Sequence, residues 1–248
     1  MPIGGSATLL AARALAAKIR VIAGTLLEAH PDDVELVDGR AVIRGTARAL
    51  SYTELARTVH FRSSALKGLE PSLEATVHYT NAQPWTFTNG AHLAVVEVDV
   101  DTGRVSVLRY VAVDDCGRIV NPALVEGQIA GGIAQGLGGV LKEHCVYDDA
   151  GQLLSATLMD YAVPTFADVP PIETHHIETP APGIAGGFKG AGEAGATGAP
   201  AAILNAVNDA LAPLGVMLTE QPITPERVVR AIQDANRRGL APCGRLHT

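Results

Sequence analysis

Cysteine is scarce. Cys116, Cys145 and Cys243 are odd in number, far apart and without C-x-x-C spacing, which excludes a disulfide framework or a zinc knuckle and points to a reducing, cytoplasmic compartment. Basic charge is short as well: 19 Lys and Arg face 26 Asp and Glu, a net charge of −7. No broad positive field is therefore available to a nucleic acid backbone or an anionic membrane, and small-molecule or protein partners are favoured. The longest apolar window, IAGGIAQGLGGVL, is too short to cross a bilayer and carries Gln135 in its middle. The first residues lack a basic leader ahead of an apolar run, so no export signal is read there.

What is abundant is small and apolar. The 248 residues are 47% hydrophobic with 26 glycines, enough for one or two real cores with closely approaching backbones. Residues 7–28 repeat apolar positions at helical spacing, with Ser6 available as an N-cap. DVELVDGRAVIRG alternates around Asp38-Gly39 as a hairpin, SYTELARTVHF reads as a helix opened by Ser51, and LEATVHYT returns to strand. A longer hairpin turns at Asp101-Thr102-Gly103, and Asn121 with Pro122 opens a helix running to about Glu143. CVYDDAGQLLSATL reads as a third hairpin and PIETHHIET as a strand. A Pro/Gly-rich loop, PAPGIAGGFKGAGEAG, then leads into a helix from Thr197, and TPERVVRAIQDANRRG closes as an amphipathic helix. The expected fold class is α+β, antiparallel hairpin-built sheets covered by helices, over residues 1–248 without a convincing linker.

One ionisable acid, Glu193, stands in the glycine-rich stretch GGFKGAGEAGATGAP. Gly190 to Gly195 satisfy G-x-G-x-x-G, but that fingerprint needs a strand in front of it, and Glu193 would set a carboxylate beside the diphosphate. Two readings of the loop remain: a close-packed turn with Glu193 in solvent, or a desolvated carboxylate serving as a general base.

The helix after Pro122 carries six glycines, a cost of roughly 5 kcal/mol against alanine at about 0.8–1 each. Gln128, Gly131, Gly132, Gln135, Gly138 and Gly139 share a face by helical spacing. That face serves either close helix packing or a flat floor for a cofactor, to which glutamine both donates and accepts. His175 and His176, adjacent on a strand, point opposite ways and do not chelate together; no metal ligand set is read.

Three segments, GAHLAVVEVDVDTGRVSVLRYVAVDDCGRIVNPALVEGQIAGGIAQGLGGVLKEH, MDYAVPT and GGFKGAGEAGATGAPAAILNAVNDAL, together resemble, in order, the C-terminal part of the molybdopterin-binding large subunit of the xanthine oxidase family. The carbon monoxide dehydrogenase-like and the aldehyde or N-heterocycle hydroxylase branches are the most similar. The resemblance implies an oxidoreductase that hydroxylates an electrophilic carbon with water as oxygen source. Its K-G-x-G-E motif falls on Lys189 to Glu193 and makes Glu193 the catalytic base, with Gly192 and, less directly, Lys189 as cofactor contacts. Gln128 matches the glutamine of G-Q-x-x-G, near the cofactor. GGSAT resembles a small-residue turn in which Gly5, Ser6 and Thr8 approach the pterin or its phosphates at a helix N-terminus.

The implied cofactor is molybdopterin with molybdenum, as its cytosine dinucleotide. A full large subunit is roughly three times longer, so the resemblance further implies a partner. That partner is a second molybdenum-binding chain carrying the N-terminal half, with iron–sulfur and flavin (FAD) subunits beside it. A truncated product, or a non-catalytic assembly paralogue, is the competing reading. Carbon monoxide, an aldehyde and an N-heterocycle all stay open as substrate.

Overall fold

The computed structural model describes residues 1–81 and 86–239; Cys243 lies outside the described residues. The chain divides into two compact units, Met1–Pro84 with Pro182–Gly186 and Trp85–Ala181 with Gly187–Thr248.

The first unit opens with helix α1 (Pro2–Leu27). It starts with proline at its first position, where the missing N–H costs nothing, so Ser6 lies inside the helix and is not its N-cap. The helix ends at Glu28 in a left-handed conformation (φ 50°), with Ala29 N–H donating to Gly24 O at 2.9 Å. Strands β1 (Val34–Val37), β2 (Arg40–Ile43) and β3 (Ala49–Ser51) form an antiparallel sheet in that order. The β1–β2 turn takes the positive φ values (47° and 73°) that Asp38-Gly39 suits. Helix α2 (Tyr52–Phe61) begins with a complete capping box: Ser51 Oγ accepts from Glu54 N–H, and the Glu54 carboxylate accepts from Ser51 N–H at 2.8 Å. Ile22, Ala23, Val34, Ala41, Leu55, Val59 and Leu66 are the core. Residues 73–80 keep an alternating exposure but pair with no strand among the described residues, so the expected strand there is absent.

The second unit is built on the hairpin of β4 (Asn89–Val98) and β5 (Val105–Asp115), with a bulge between Val95 and Val96. Asp99 Oδ1 accepts from the N–H groups of Asp101 and Thr102 and shapes the turn. Helix α3 (Pro122–Leu141) follows, with Asn121 Oδ1 as its cap. Strand β6 (Ile172–His176) then adds to β5 in parallel, so the expected hairpin-built antiparallel sheet carries one parallel strand at its edge and is mixed. The physical reason is the route: α3 and the irregular residues 143–171 carry the chain back across, as a parallel neighbour requires. The expected third hairpin shrinks to one isolated bridge, Tyr147 to Leu153. Along the irregular stretch Leu158, Met159 and Phe166 stand exposed.

Helix α4 (Ala194–Leu211) begins three residues earlier than its apolar period suggests, and α5 (Pro225–Arg237) closes the unit. Tyr110, Ile129, Ile133, Leu137, Val140, Ile203, Val207 and Leu211 are the buried centre. No helix among the described residues is long and apolar enough to cross a membrane.

Candidate active site

The glycine loop is stitched to the end of β5. Lys189 N–H donates to Cys116 O at 2.9 Å, Arg118 N–H to Gly187 O at 3.1 Å, and Gly117 pairs with Phe188 in an isolated bridge. Gly117 has φ 68°, and a Cβ there would lie 2.4 Å from Gly187 O, so only glycine admits this approach. Lys189 Nζ sits 2.9 Å from Asp115 Oδ2, with the two side chains 8% and 11% exposed. Burial pushes the Asp115 carboxyl up, but the Lys189 ammonium and the N–H groups of Gly117 and Thr179 outweigh it and hold the group far below the ordinary carboxylate range. Lys189 therefore holds the loop, and its ammonium is committed to Asp115.

Glu193 follows at the N-cap of α4, where its side chain makes no capping bond. Its residue is exposed in this chain, so the desolvation expected of a base is not supplied by these residues. Gln128 Nε2 donates to Gly192 O at 3.2 Å and so joins α3 to the turn bearing Glu193. Glu193, Gly192 and Gly190 line a cavity of about 680 Å³ with Thr88, His92 and Asp114. Thr88 Oγ1 donates to Gly190 O across it.

The glycine face of α3 divides in two. Gly132 and Gly136 pack on α4: a Cβ at Gly132 would lie 2.6 Å from Ala196 N, and one at Gly136 2.6 Å from Ala199 Cβ. Gly138 is closed off by Glu143 and Pro164. Gly127, Gly131 and Gly139 meet nothing within 4 Å. The expected floor therefore narrows to the exposed stripe Gln128, Gly131, Gln135 and Gly139.

In the other unit, Gly5 N–H donates to Met1 O at 2.8 Å and Thr8 Oγ1 to Gly4 O at 2.9 Å. The Gly5 amide is thus spent within the helix, and Gly5, Ser6 and Thr8 all lie in the first two turns of α1. Ser6 Oγ is buried without a hydrogen-bond partner.

Sequence reasoning missed His92 and Asp114. The signal was available, since both fall on the inward positions of alternating strands, where an apolar residue is the rule. No strand leads into Gly190, so the dinucleotide reading falls.

Comparison with known proteins identifies the family. The family described as molybdopterin cofactor-binding domain matches residues 1–170. The chain belongs to that family, within the xanthine oxidase group. It is 46% identical over 231 residues to the nicotine 6-hydroxylase large subunit of Paenarthrobacter nicotinovorans, covering 92% of this chain and 28% of that protein. It is 37% identical over 236 residues to the carbon monoxide dehydrogenase large chain of Hydrogenophaga pseudoflava, covering 95% and 29%. Among solved structures, quinoline 2-oxidoreductase from Pseudomonas putida 86 superposes with a TM-score of 0.82 at 44% identity, over 90% of this chain and 28% of that one. A Cu,Mo-CO dehydrogenase gives 0.84 at 34%, over 96% and 29%. The chain thus spans less than a third of these relatives and corresponds to the C-terminal part of their large subunits.

Proposed function

We infer that this chain is the cofactor-side portion of a molybdenum hydroxylase, with Glu193 as its general base. The observation that carries the reading is the bond from Gln128 to Gly192 O, which ties a glutamine amide to the turn bearing a carboxylate that, among the described residues, neither caps its helix nor pairs with a cation. Gly192 and Glu193 stand at the cavity wall. The residues fit a pterin: Gln128 has further donor and acceptor capacity, and the open stripe at Gly131 and Gly139 admits a flat group against backbone.

When bound, the molybdenum cofactor supplies the electron sink and the Lewis acid that activates water. Glu193 accepts the proton released as oxygen is transferred to the carbon and later returns it to solvent. Gln128, fixed through Gly192, keeps the donor face of α3 in register with the base. Asp115 and Lys189 hold the loop on which both depend.

The cofactor would be the cytosine dinucleotide form, and the enzyme a cytoplasmic heteromer. Exposed Leu158, Met159 and Phe166 suit burial against a second molybdenum-binding chain, and iron–sulfur and flavin (FAD) subunits complete the electron path. The relatives named for nicotine and quinoline are more similar to this chain than those named for carbon monoxide, which favours an N-heterocycle.

The test is affinity purification of the tagged chain from its natural source, with metal analysis and identification of what co-purifies. Molybdenum and a large companion are the expected result. In that complex Glu193→Gln should keep its molybdenum while activity falls by about 10²–10⁴. Undiminished turnover would refute the base, and a metal-free lone chain would favour the non-catalytic paralogue.

A further inference from the structure

The hairpin of the second unit is apolar on both faces, and the core covers only one of them. On the inner face Ala94 and Val96 of β4 and Tyr110 and Ala112 of β5 pack into the core that α3, α4 and α5 share. Side chains along a strand alternate between faces, so Ala91, Leu93 and Val95 of β4 and Val111 and Val113 of β5 stand on the outer one. Register brings them together: Leu93 lies opposite Val111 and Ala91 opposite Val113. Leu93 is 56% exposed and Val95 42%, and Leu108, left without a register partner at the bulge, is 55% exposed. Among the described residues, Leu93, Val95, Leu108, Val111 and Val113 join neither core cluster.

A sheet with one face in water alternates apolar with polar, whereas a strand buried on both faces reads as an unbroken apolar run. HLAVV in β4 and VAV in β5 are runs of the second kind. The margin toward β6 is polar but already satisfied. Arg109 Nε and Nη2 donate to the two Glu173 carboxylate oxygens at 2.6 and 2.9 Å, so the pair is neutral and its bonds are made before anything arrives. An apolar centre beside a self-neutralised charge pair suits an apolar, uncharged partner surface.

The size of the face decides between partners. Ala91–Val95 at about 3.3 Å per residue, across three strands about 4.8 Å apart, gives roughly 240 Å² in plan. Each member of a stable dimer buries about 800 Å², so a second copy seated here would not be held by this face. A polypeptide that also meets the chain elsewhere would be, and more than two thirds of the nicotine 6-hydroxylase large subunit lies outside the part this chain matches. We propose that the outer face of β4 and β5 docks an apolar surface of the polypeptide that supplies the rest of the large subunit, which turns this sheet into a layer buried on both sides. The proposal rests on the reading that such a companion exists, and it adds a second contact to that of Leu158, Met159 and Phe166.

The experiment places the photo-crosslinking residue p-benzoylphenylalanine at Leu93 of the tagged chain in its native complex and identifies the peptides captured. Crosslinks to the companion are expected. Crosslinks confined to this chain or a second copy of it, or none at all, overturn the proposal. Leu93→Asp gives the quantitative check: companion recovered per tagged chain should fall at least about tenfold, because a carboxylate would be buried without a partner. The urea midpoint of the chain itself should stay put, since Leu93 is exposed and outside the core. Undiminished recovery overturns the proposal; if Leu93→Asp unfolds the chain, the crosslink, which adds no charge, decides alone. A companion that co-purifies but is not captured at Leu93 overturns this proposal and leaves the split subunit standing, whereas no companion with the unmodified chain overturns both.

Discussion

Replacing Gly131 and Gly132 of α3 by alanine should change stability in opposite directions. At both positions alanine removes the glycine penalty of a helix interior, worth about 0.8–1 kcal/mol. Gly131 is exposed and meets nothing within 4 Å, so Gly131→Ala should keep most of that gain. At Gly132 the new Cβ would lie 2.6 Å from Ala196 N and 3.0 Å from the Gly195 carbonyl carbon. These atoms are main chain of α4 and cannot rotate aside. Overpacking of this kind costs about 1–3 kcal/mol, and its upper end applies where backbone is struck. After the helix gain is subtracted, Gly132→Ala should lose about 1–2 kcal/mol, leaving the neighbours about 2–3 kcal/mol apart. Urea unfolding of the chain, followed by helical ellipticity, reads the difference as a shift in midpoint at constant slope. Equal stability of the two variants would refute the tight crossing of α3 and α4 and restore the whole glycine face as a surface.

Asp115→Asn should destabilise the chain by about 3–5 kcal/mol, because it strands a buried ammonium; adding Lys189→Met should recover part of the loss in the same urea assay. The Lys142 ammonium, 2.7 Å away, together with the Thr165 N–H, pulls the Asp168 carboxyl down to about 2. A depressed carboxyl stabilises above its unfolded value near 4 and loses that contribution as pH falls towards 2. Allowing for a side chain 30% exposed, Asp168→Asn should cost about 1 kcal/mol at pH 7 and nothing near pH 2, which pH-dependent unfolding checks. In the assembled complex, Gly131→Ala should lower molybdenum content even as it stabilises the chain; full occupancy would remove the stripe from the cofactor surface.

The features legible in the sequence are those set within a few residues. Asp38-Gly39 makes its turn, Ser51 and Glu54 make their box, and Asn121 caps α3, because each depends on local backbone chemistry alone. What sequence reading missed depends on which partner arrives. LEATVHYT has a strand's alternation, yet residues 73–80 pair with no strand among the described residues. The direction of β6 depends on where thirty intervening residues lead it, and the division of α3's glycines on the angle at which α4 crosses. Ser6 looked like a cap because Ser before an apolar run usually is one; Pro2 starts the helix sooner. At the site, Gln128 and Glu193 were readable as motifs, whereas His92 and Asp114 were polar residues hidden in apolar alternation.

The contact of main chain with main chain at Gly132 and Gly195 has a mechanical consequence. A Cβ at Gly195 would fall 2.2 Å from Ile129 O, so α3 and α4 are keyed together and slide past one another only by unpacking. Gln128 rides on one of these helices and Glu193 opens the other. The amide and the turn bearing the carboxylate therefore travel as a single rigid jaw.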